Sequence, residues 1–462
     1  MATMSEEGLT RAVTKMREVG VADSAINVFT HYYGELERGA TGLIAEDSIE
    51  PLTDPPQLAD TEVSEEQARE ALSKTVVIKL NGGLGTSMGM DRAKSLLPVA
   101  DGRSFLDLIC QQVLHTRAEY DVDLPLLLMN SFRTRDDTLE ALKAHPGIAT
   151  DGLPADFLQN FEPKLRSDDL TPVEWPADPS LEWCPPGHGD VYTALLTSGV
   201  LETLLQKGYR YATVSNSDNL GAAPNARIAG WFAGTGAPYA AELCRRTRQD
   251  RKGGHLAVRK SDGQLILRDT GQTAEDEMVH FTDEHRHPYF HTNNLWWDLE
   301  QLQVQLTERE GVLGLPMIRN VKTVDPSDAD SPEVIQVETA MGAAIEVFSG
   351  ATAIAVGRER FLPVKTTNEL LLLRSDVYEI GSDGRISQQV QPAPLIELSK
   401  RYKKIGDFDD RFPDGAPSLE RAQSLAVKGD WTFGEGVSVV GAVELPDTGA
   451  AEKVADGQEL RG

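Results

Sequence analysis

The residues best equipped for chemistry cluster in one stretch, Thr75 to Val99, which reads TVVIKLNGGLGTSMGMDRAKSLLPV. Gly82, Gly83, Gly85 and Gly89 let the backbone approach a ligand closely and turn its N–H groups toward an anion. Lys94 and Ser95 then add a cation and a hydroxyl. A strand, a glycine loop and a cation in that order form a phosphate-handling arrangement. A Walker A loop requires glycine directly before its lysine and another five residues earlier. Those positions hold Ala93 and Met88, which disfavours a P-loop kinase or ATPase. A dinucleotide fingerprint starting at Gly83 would put its last glycine on Met88, a weak match.

Other polar clusters sit where strands should end. Asn81, Asn130 and the run Asn216-Ser217-Asp218 each follow a short apolar or β-branched segment. PPGHGD (185–190) is a glycine turn leading into a helix, and HTNNLWW (291–297) and QVETAMGAAIEVF (336–348) are later polar clusters against apolar starts. In FLPVKTTNELLLLRSDVY (361–378), Lys365 stands just before a helix that Thr366 or Thr367 could cap.

The elements that must position these groups alternate between strand and helix over residues 75–235, which implies an open, doubly wound α/β sheet. Ligands bind such sheets beyond the C-terminal ends of strands, near a switch point, and the three asparagine-bearing ends point to one site. The spacing predicts helices over 105–114, 134–144 and 191–205, and strands over 124–130 and 211–215. Ahead of this, residues 1–45 carry helical patterning with caps near Ser5 and Asp23, and the proline- and acid-rich 46–66 reads as an extended connector. In the tail, Val427, Phe433, Val439 and Leu445 recur every six residues with glycines between them, the mark of a β-helix. So few units cannot bury a core alone, so the tail must pack on the main domain or join subunits as a homo-oligomer. The division is 1–70 for the N-terminal helical segment and connector, 71–380 for the catalytic nucleotide-binding domain, and 381–462 for the C-terminal domain.

Bulk composition narrows the class. The chain has 462 residues, 40% apolar and 25% charged, as a globular protein of two or three domains should. A net charge of −27 argues against nucleic-acid or anionic-membrane partners and makes the few basic residues beside glycine loops the ones to watch. No apolar run could span a bilayer, the N-terminus does not resemble a targeting peptide, and Cys110, Cys184 and Cys244 form neither a disulfide framework nor a metal cluster. A cytoplasmic location is expected. His280, His285, His287 and His291 lie close in sequence but lack a zincin pattern, and read as an ordinary polar loop. The Leu370–Leu373 run reads as core.

The more specific match is to the signature loop of nucleotidyltransferases acting on sugar phosphates. LNGGLGTSMGMDRAKS, LPLLLMNSF, PPGHGD, SNSDNLGA, HTNNLW, QVETAMGAA, FLPVKTTNELLLL and the six-residue tail occur in the order found in eukaryotic-type UTP–glucose-1-phosphate uridylyltransferases (UDP-glucose pyrophosphorylases), and the chain resembles that family over nearly its whole length. The resemblance implies a mixed, mostly parallel GT-A-like nucleotidyltransferase sheet and a short left-handed β-helix at the C-terminus. It implies transfer of a uridylyl group from UTP to glucose 1-phosphate with Mg²⁺ as cofactor. Leu80, Asn81, Gly82 and Gly83 would contact the nucleotide, and Lys94 and Lys365 would bind phosphates as the catalytic cations. Gln159 would read uracil, Gly187 would support the nucleotide, and His188 would take the substrate phosphate. Asn216, Ser217 and Asp218 match the SN-x-D motif, with Asp218 the Mg²⁺ carboxylate, and Asn294 and Glu338 would hold sugar hydroxyls. The family usually has proline where this chain has Ala93, which should loosen the local backbone and tune affinity.

Taken singly, each residue has a plainer reading: a surface lysine for Lys94 or Lys365, a turn residue for His188, a loop cap for Asp218, a solvated face for Glu338. The ordered set reverses these readings. Rival functions are a UDP-N-acetylhexosamine or broad UDP-sugar pyrophosphorylase, and a catalytically silent assembly protein of the same fold.

Overall fold

The computed structural model describes residues 2–247 and 250–462. At its centre, strands β1 (Thr75–Asn81), β2 (Leu126–Asn130), β3 (Asp156–Leu158), β4 (Tyr211–Asn216), β5 (Tyr239–Arg245), β6 (Tyr289–Asp298) and β7 (Thr352–Val356) form one sheet in the order β7-β5-β6-β4-β1-β2-β3. All neighbours are parallel except β6, which runs antiparallel to both β4 and β5. The chain leaves β1 for β2 and β3 on one side and returns to β4 on the other. That reversal opens a crevice beyond the C-terminal ends of β1 and β4, where a doubly wound sheet takes its ligand.

Both faces of the sheet are covered, which explains the near-continuous apolar strands. Val77 and Leu128 face one core with Phe105, Ile109 and Phe232, while Val76, Ile78, Leu127 and Met129 face another with Tyr192, Leu195 and Leu204. The strand period of two sorts neighbours to opposite sides, down to Trp296 and Trp297. The helix expected from Phe105 runs to Tyr120 and opens with a reciprocal Ser104–Asp107 capping box. The helix expected over 191–205 is two, Val191–Thr197 and Val200–Gln206, because Gly199 takes a φ of +72° between them.

The N-terminal helices are Ala2–Glu18 and Asp23–Glu37. Neither expected cap holds: the first helix already begins ahead of Ser5, and Asp23 is itself helical, preceded by Ala22 without a side-chain cap. Both helices pack around Leu165, and the second also on Met317, Ile335 and Val337, of a smaller sheet. The connector is extended as read: Ile49–Pro51 pairs antiparallel with His255–Arg259, and Gln57 bridges Ala355. The histidine segment differs from an ordinary polar loop. His287 has a fully enclosed side chain 3.1 Å from Glu46 of the connector and stacks on His255 at 3.8 Å, so burial and a carboxylate partner hold it in place.

In the tail, Leu395–Leu398, Ser418–Val427, Ser438–Leu445 and Glu459–Arg461 form one parallel sheet, and Asp430–Phe433 pairs in parallel with Ala451–Val454. The helix Ile405–Arg411 separates the first two of these strands, and from Ser418 onward the parallel strands follow one another without a helix between them. The four six-residue positions are interior: Val427, Phe433, Val439 and Leu445 are 0%, 0%, 1% and 8% exposed. Neighbouring segments approach too closely for a side chain at Gly429, where an added Cβ would fall 2.7 Å from the Pro446 carbonyl. Phe433 stacks on Phe412 at 4.8 Å and belongs to the same continuous core as Val77 and Phe105, so the tail packs on the main domain. Leu370, Leu371 and Leu373 are core as well.

Candidate active site

The glycine loop leaves β1 and folds back on itself. Leu84 and Ala93 form an antiparallel bridge, and the Lys94 amide donates to the Gly83 carbonyl at 3.2 Å. Ala93, expected to loosen this turn, keeps a proline-like backbone here. It is buried and takes φ −54°, within the range proline would impose, so the bridge holds the conformation that the ring would have fixed. Lys94 Nζ then lies 2.6 Å from Asp218 Oδ2, and each side chain is 18% exposed. This ion pair joins the loop after β1 to the turn after β4.

Around it the expected residues take distinct places. A Cβ on Gly82 would fall 2.6 Å from Gln159 Oε1, whereas one on Gly83 would meet nothing within 4 Å. Gln159 therefore lies along the loop, and Gly83 borders open space. Asn81 is buried and donates to Asn130 Oδ1 at 2.7 Å and Thr138 Oγ1 at 3.0 Å, while Asn130 donates to Asp156 at 3.1 Å. These side chains lock the ends of β1, β2 and β3 together. The Leu80 carbonyl accepts from the Ser217 amide at 3.2 Å, fixing the Asn216–Asp218 turn to β1.

Lys365 arrives on a strap laid across that turn. The Val364 amide donates to the Asp218 carbonyl at 3.2 Å, and the Leu362 amide donates to Asn219 Oδ1 at 2.8 Å. Thr366 caps the following helix, Thr367–Arg374, in a reciprocal box with Glu369. Lys365 is exposed and makes no ion pair among the described residues. Lys94 thus meets Asp218 through its side chain, and Val364, the residue before Lys365, meets it through the backbone.

A second arc faces them. Gly187 takes φ +80°, and an added Cβ there would lie 2.6 Å from the Thr339 carbonyl and 2.9 Å from Glu338 Cβ. The glycines of PPGHGD let that loop press on Glu338 and Thr339. The Met341 amide donates to His188 Nδ1 at 3.0 Å, which requires a neutral imidazole with its proton on Nε2. His188 is exposed as a residue, yet desolvation by the surrounding protein lowers its pKa. Asp190 accepts from the amide and side chain of Asn160 at 2.6 and 2.8 Å, tying this loop to the segment carrying Gln159. Burial lifts the Asp190 carboxyl to about 7 against those two bonds.

Asn294 is not in the cleft. It is 1% exposed, donating to Glu242 at 3.2 Å and to the Arg360 carbonyl at 3.1 Å and accepting from Asn219 at 3.0 Å. Asn293 is the residue of β6 with open surface. Its φ of +64° breaks the strand alternation, and its side-chain amide donates to Asn216 Oδ1 at 3.3 Å. Sequence reasoning missed Asn293, since adjacent asparagines give no sign of which one a left-handed residue exposes. It also passed over Lys79, a cation inside the apolar run of β1, and the buried Arg360–Glu242 pair, whose members are far apart in sequence.

This layout leaves cationic and N–H donor capacity beyond the C-terminal ends of β1 and β4, where a doubly wound sheet takes its ligand. A family model for UTP–glucose-1-phosphate uridylyltransferase matches residues 26–440. The enzyme of that name from Saccharomyces cerevisiae is 38% identical over 426 residues, spanning 91% of this chain and 83% of that protein. The one from Solanum tuberosum is 37% identical over 417 residues, 89% of this chain and 83% of its own. Among solved structures, UDP-glucose pyrophosphorylase from Leishmania major superposes with a TM-score of 0.91 at 40% identity, covering 98% of both chains. A variant of that enzyme in complex with UDP-glucose superposes equally well, with a TM-score of 0.91, 40% identity and 98% of both chains. Likeness this extensive in sequence and in backbone settles the family: the chain belongs to the UTP–glucose-1-phosphate uridylyltransferases.

Proposed function

We propose that this protein transfers a uridylyl group from UTP to glucose 1-phosphate, giving UDP-glucose and pyrophosphate. The observation that carries this reading is the Lys94–Asp218 pair at the β1/β4 crevice, with the Lys365 strap bonded to the same turn. An oxygen of the sugar phosphate attacks the α-phosphorus of UTP in line, and the bond to the β-phosphate oxygen breaks. Bringing two polyanions together and neutralising the departing charge is a task of positioning and electrostatics, and no covalent nucleophile is required. Leu80, Asn81, Gly82 and Gly83 form the floor for the nucleoside, and Gln159 beside Gly82 offers its side-chain amide to the imide edge of uracil. Gly187 and His188 frame the other substrate, with Nε2–H of His188 donating to its phosphate. Lys94 and Lys365 bind the phosphates of UTP and of departing pyrophosphate.

The donor set fits magnesium of the kind that leans on substrate. Among the described residues no three His, Cys, Asp or Glu side chains gather as a cage, whereas Asp218 offers one carboxylate beside the phosphate-binding lysine. Mg²⁺ typically takes one or two carboxylates and fills its sphere with phosphate oxygens and water. Bound there, the ion would supply charge neutralisation to the UTP phosphates. On the sugar, Asn293 presents its amide to hydroxyls, with Asn294 fixed behind it and Glu338 opposite. The order of the central sheet supports a GT-A-like reading, and the parallel strands of the tail support a left-handed β-helix.

The test is pyrophosphate release from UTP across a panel of sugar 1-phosphates with Mg²⁺ present. Release with glucose 1-phosphate at the highest kcat/KM is expected. Preference for an N-acetylated sugar would reassign the substrate, and no release with any sugar would overturn the enzyme reading.

A further inference from the structure

Lys79 stands in the middle of a strand whose neighbours are apolar, and it is 1% exposed. It shares the Val77 face of the sheet, beneath the crevice and not in it. Nζ donates to Ser215 Oγ at 2.8 Å and to the Ala222 carbonyl at 2.8 Å. Those two acceptors bracket the turn 216–221 that carries Asn216 and Asp218. One amine therefore ties both ends of that turn to β1, the strand from which the glycine loop departs.

The setting makes a plain packing role a poor account. A buried ammonium carries a desolvation penalty of several kcal/mol, and methionine would fill a similar volume without it. The charged groups that face Lys79 come from three elements: Glu242 of β5, Arg360 of the strap, and Asp218 of the turn itself. Burial, with Arg360 acting in the same direction, lowers the amine to about 7 against the pull of Glu242 and Asp218. Arg360 holds both Glu242 oxygens, at 2.9 and 2.8 Å, and its carbonyl accepts from Asn219 at 3.2 Å, so the strap leading to Lys365 is anchored to the same turn.

We propose that Lys79 is a positioning residue for uridylyl transfer, clamping the 216–221 turn against β1 so that the Asp218 carboxylate and the glycine loop keep one geometry. The proposal rests on the uridylyl-transfer reading, which turnover by the unaltered protein in the same assay tests separately. A displacement of roughly 1 Å in such a site lowers turnover about 10²-fold. Lys79→Met should therefore lower kcat about 100-fold while KM for UTP and for glucose 1-phosphate stays within about threefold, in a protein that melts no lower than the parent. Ser215→Ala removes one acceptor and should lower kcat about tenfold, and the double variant should be no slower than Lys79→Met alone. Should Lys79→Met fail to fold, Ser215→Ala carries the test. Unchanged kcat in either folded variant, a defect confined to KM, or independent, multiplying effects in the double variant would overturn the clamp.

Discussion

Two clusters in this molecule use the same residue types to opposite ends. In one, Glu46 of the connector accepts from Arg268 and from His287 at 3.1 Å and forms an ion pair with Arg286 at 2.5 Å, while Arg268 also reaches Glu277. The side chains of Arg268 and His287 are wholly enclosed. Each carboxylate there has a protein cation, and nothing is left over. In the other, Asp218 meets Lys94 in a half-open crevice, and Lys365 stands beside them exposed and unpaired among the described residues. The first cluster spends its charge on holding the connector to the body. The second keeps a surplus of positive charge aimed outward, within a chain of net charge −27, and that surplus marks it as a place for polyanions.

Removing Glu46 should give the largest effect, and on stability alone. Glu46→Ala leaves Arg268 with Glu277 alone and His287 without its carboxylate, and breaking a buried pair in this way typically costs about 3–5 kcal/mol. Urea unfolding should show that loss, with kcat of the folded fraction unchanged. The cluster should also be acid-labile. Burial raises the Glu46 pKa, but His287, Arg286 and Arg268 outweigh it and hold the group below the usual range, while burial lowers His287 against Glu46. Both depressed groups bind protons more readily in the unfolded chain, so stability falls as pH drops below about 6.5 for the histidine and below about 4.3 for the carboxylate. In Glu46→Ala the slope below about pH 4.3 should flatten, whereas the slope below about 6.5 should persist or steepen, because His287 loses the carboxylate that raised its pKa. If folded Glu46→Ala loses turnover, the separation of the two clusters fails.

The reverse pattern belongs to the crevice. Asp218→Ala and Lys365→Ala should each lower kcat about 10²–10³-fold, the range for losing one charge-stabilising group, with far-UV circular dichroism unchanged. Near-normal turnover in either variant would remove that residue from the mechanism. A smaller effect separates the two asparagines. Asn293→Ala should raise KM for glucose 1-phosphate about tenfold, roughly 1.4 kcal/mol, without changing KM for UTP. Asn294→Ala strands buried partners and should instead lower stability by about 1–3 kcal/mol. Steady-state kinetics beside thermal melts on both variants would show whether the assignments are exchanged.

Much of this was legible because it rests on local pattern. The six-residue period of the tail became a buried row, Thr366 caps the helix after Lys365, and the glycine loop lies at the end of a parallel strand. What escaped depends on geometry between distant segments. Asn293 faces the crevice because one residue of β6 is left-handed and the β5 register shifts opposite it, between Ala241 and Leu243. A period-two reading of HTNNLWW contains neither event. Lys79 is visible as a lysine among valines and isoleucines, but one of its partners comes from β4 and the other from beyond it, and only the parallel pairing of Lys79 with Ser215 brings them within reach. Glu46 reads as one acid in an acidic connector until the fold delivers Arg268 and His287 to it.

The smallest effect is the sharpest on the nature of the crevice. Lys365 lies immediately ahead of the Thr366 cap, so its positive charge sits near the positive end of the helix Thr367–Arg374. Like sign repels like, and an exposed charge at a helix end is worth about 0.3–1 kcal/mol at low salt. Lys365→Ala should therefore melt slightly higher than the parent protein at low ionic strength, and the gain should fade as salt rises. A polyanion reverses the ranking. Pyrophosphate binds the folded state and stabilises it by RT ln(1 + [L]/Kd), and the parent, with helix end and lysine converging on one anion, should gain more than the variant. Differential scanning calorimetry of the two proteins with and without pyrophosphate should thus show the melting order cross. Parallel gains in both would mean that Lys365 lies outside the anion site. A crossing would mean that the protein gives up stability at this helix end to keep a cation ready for phosphate.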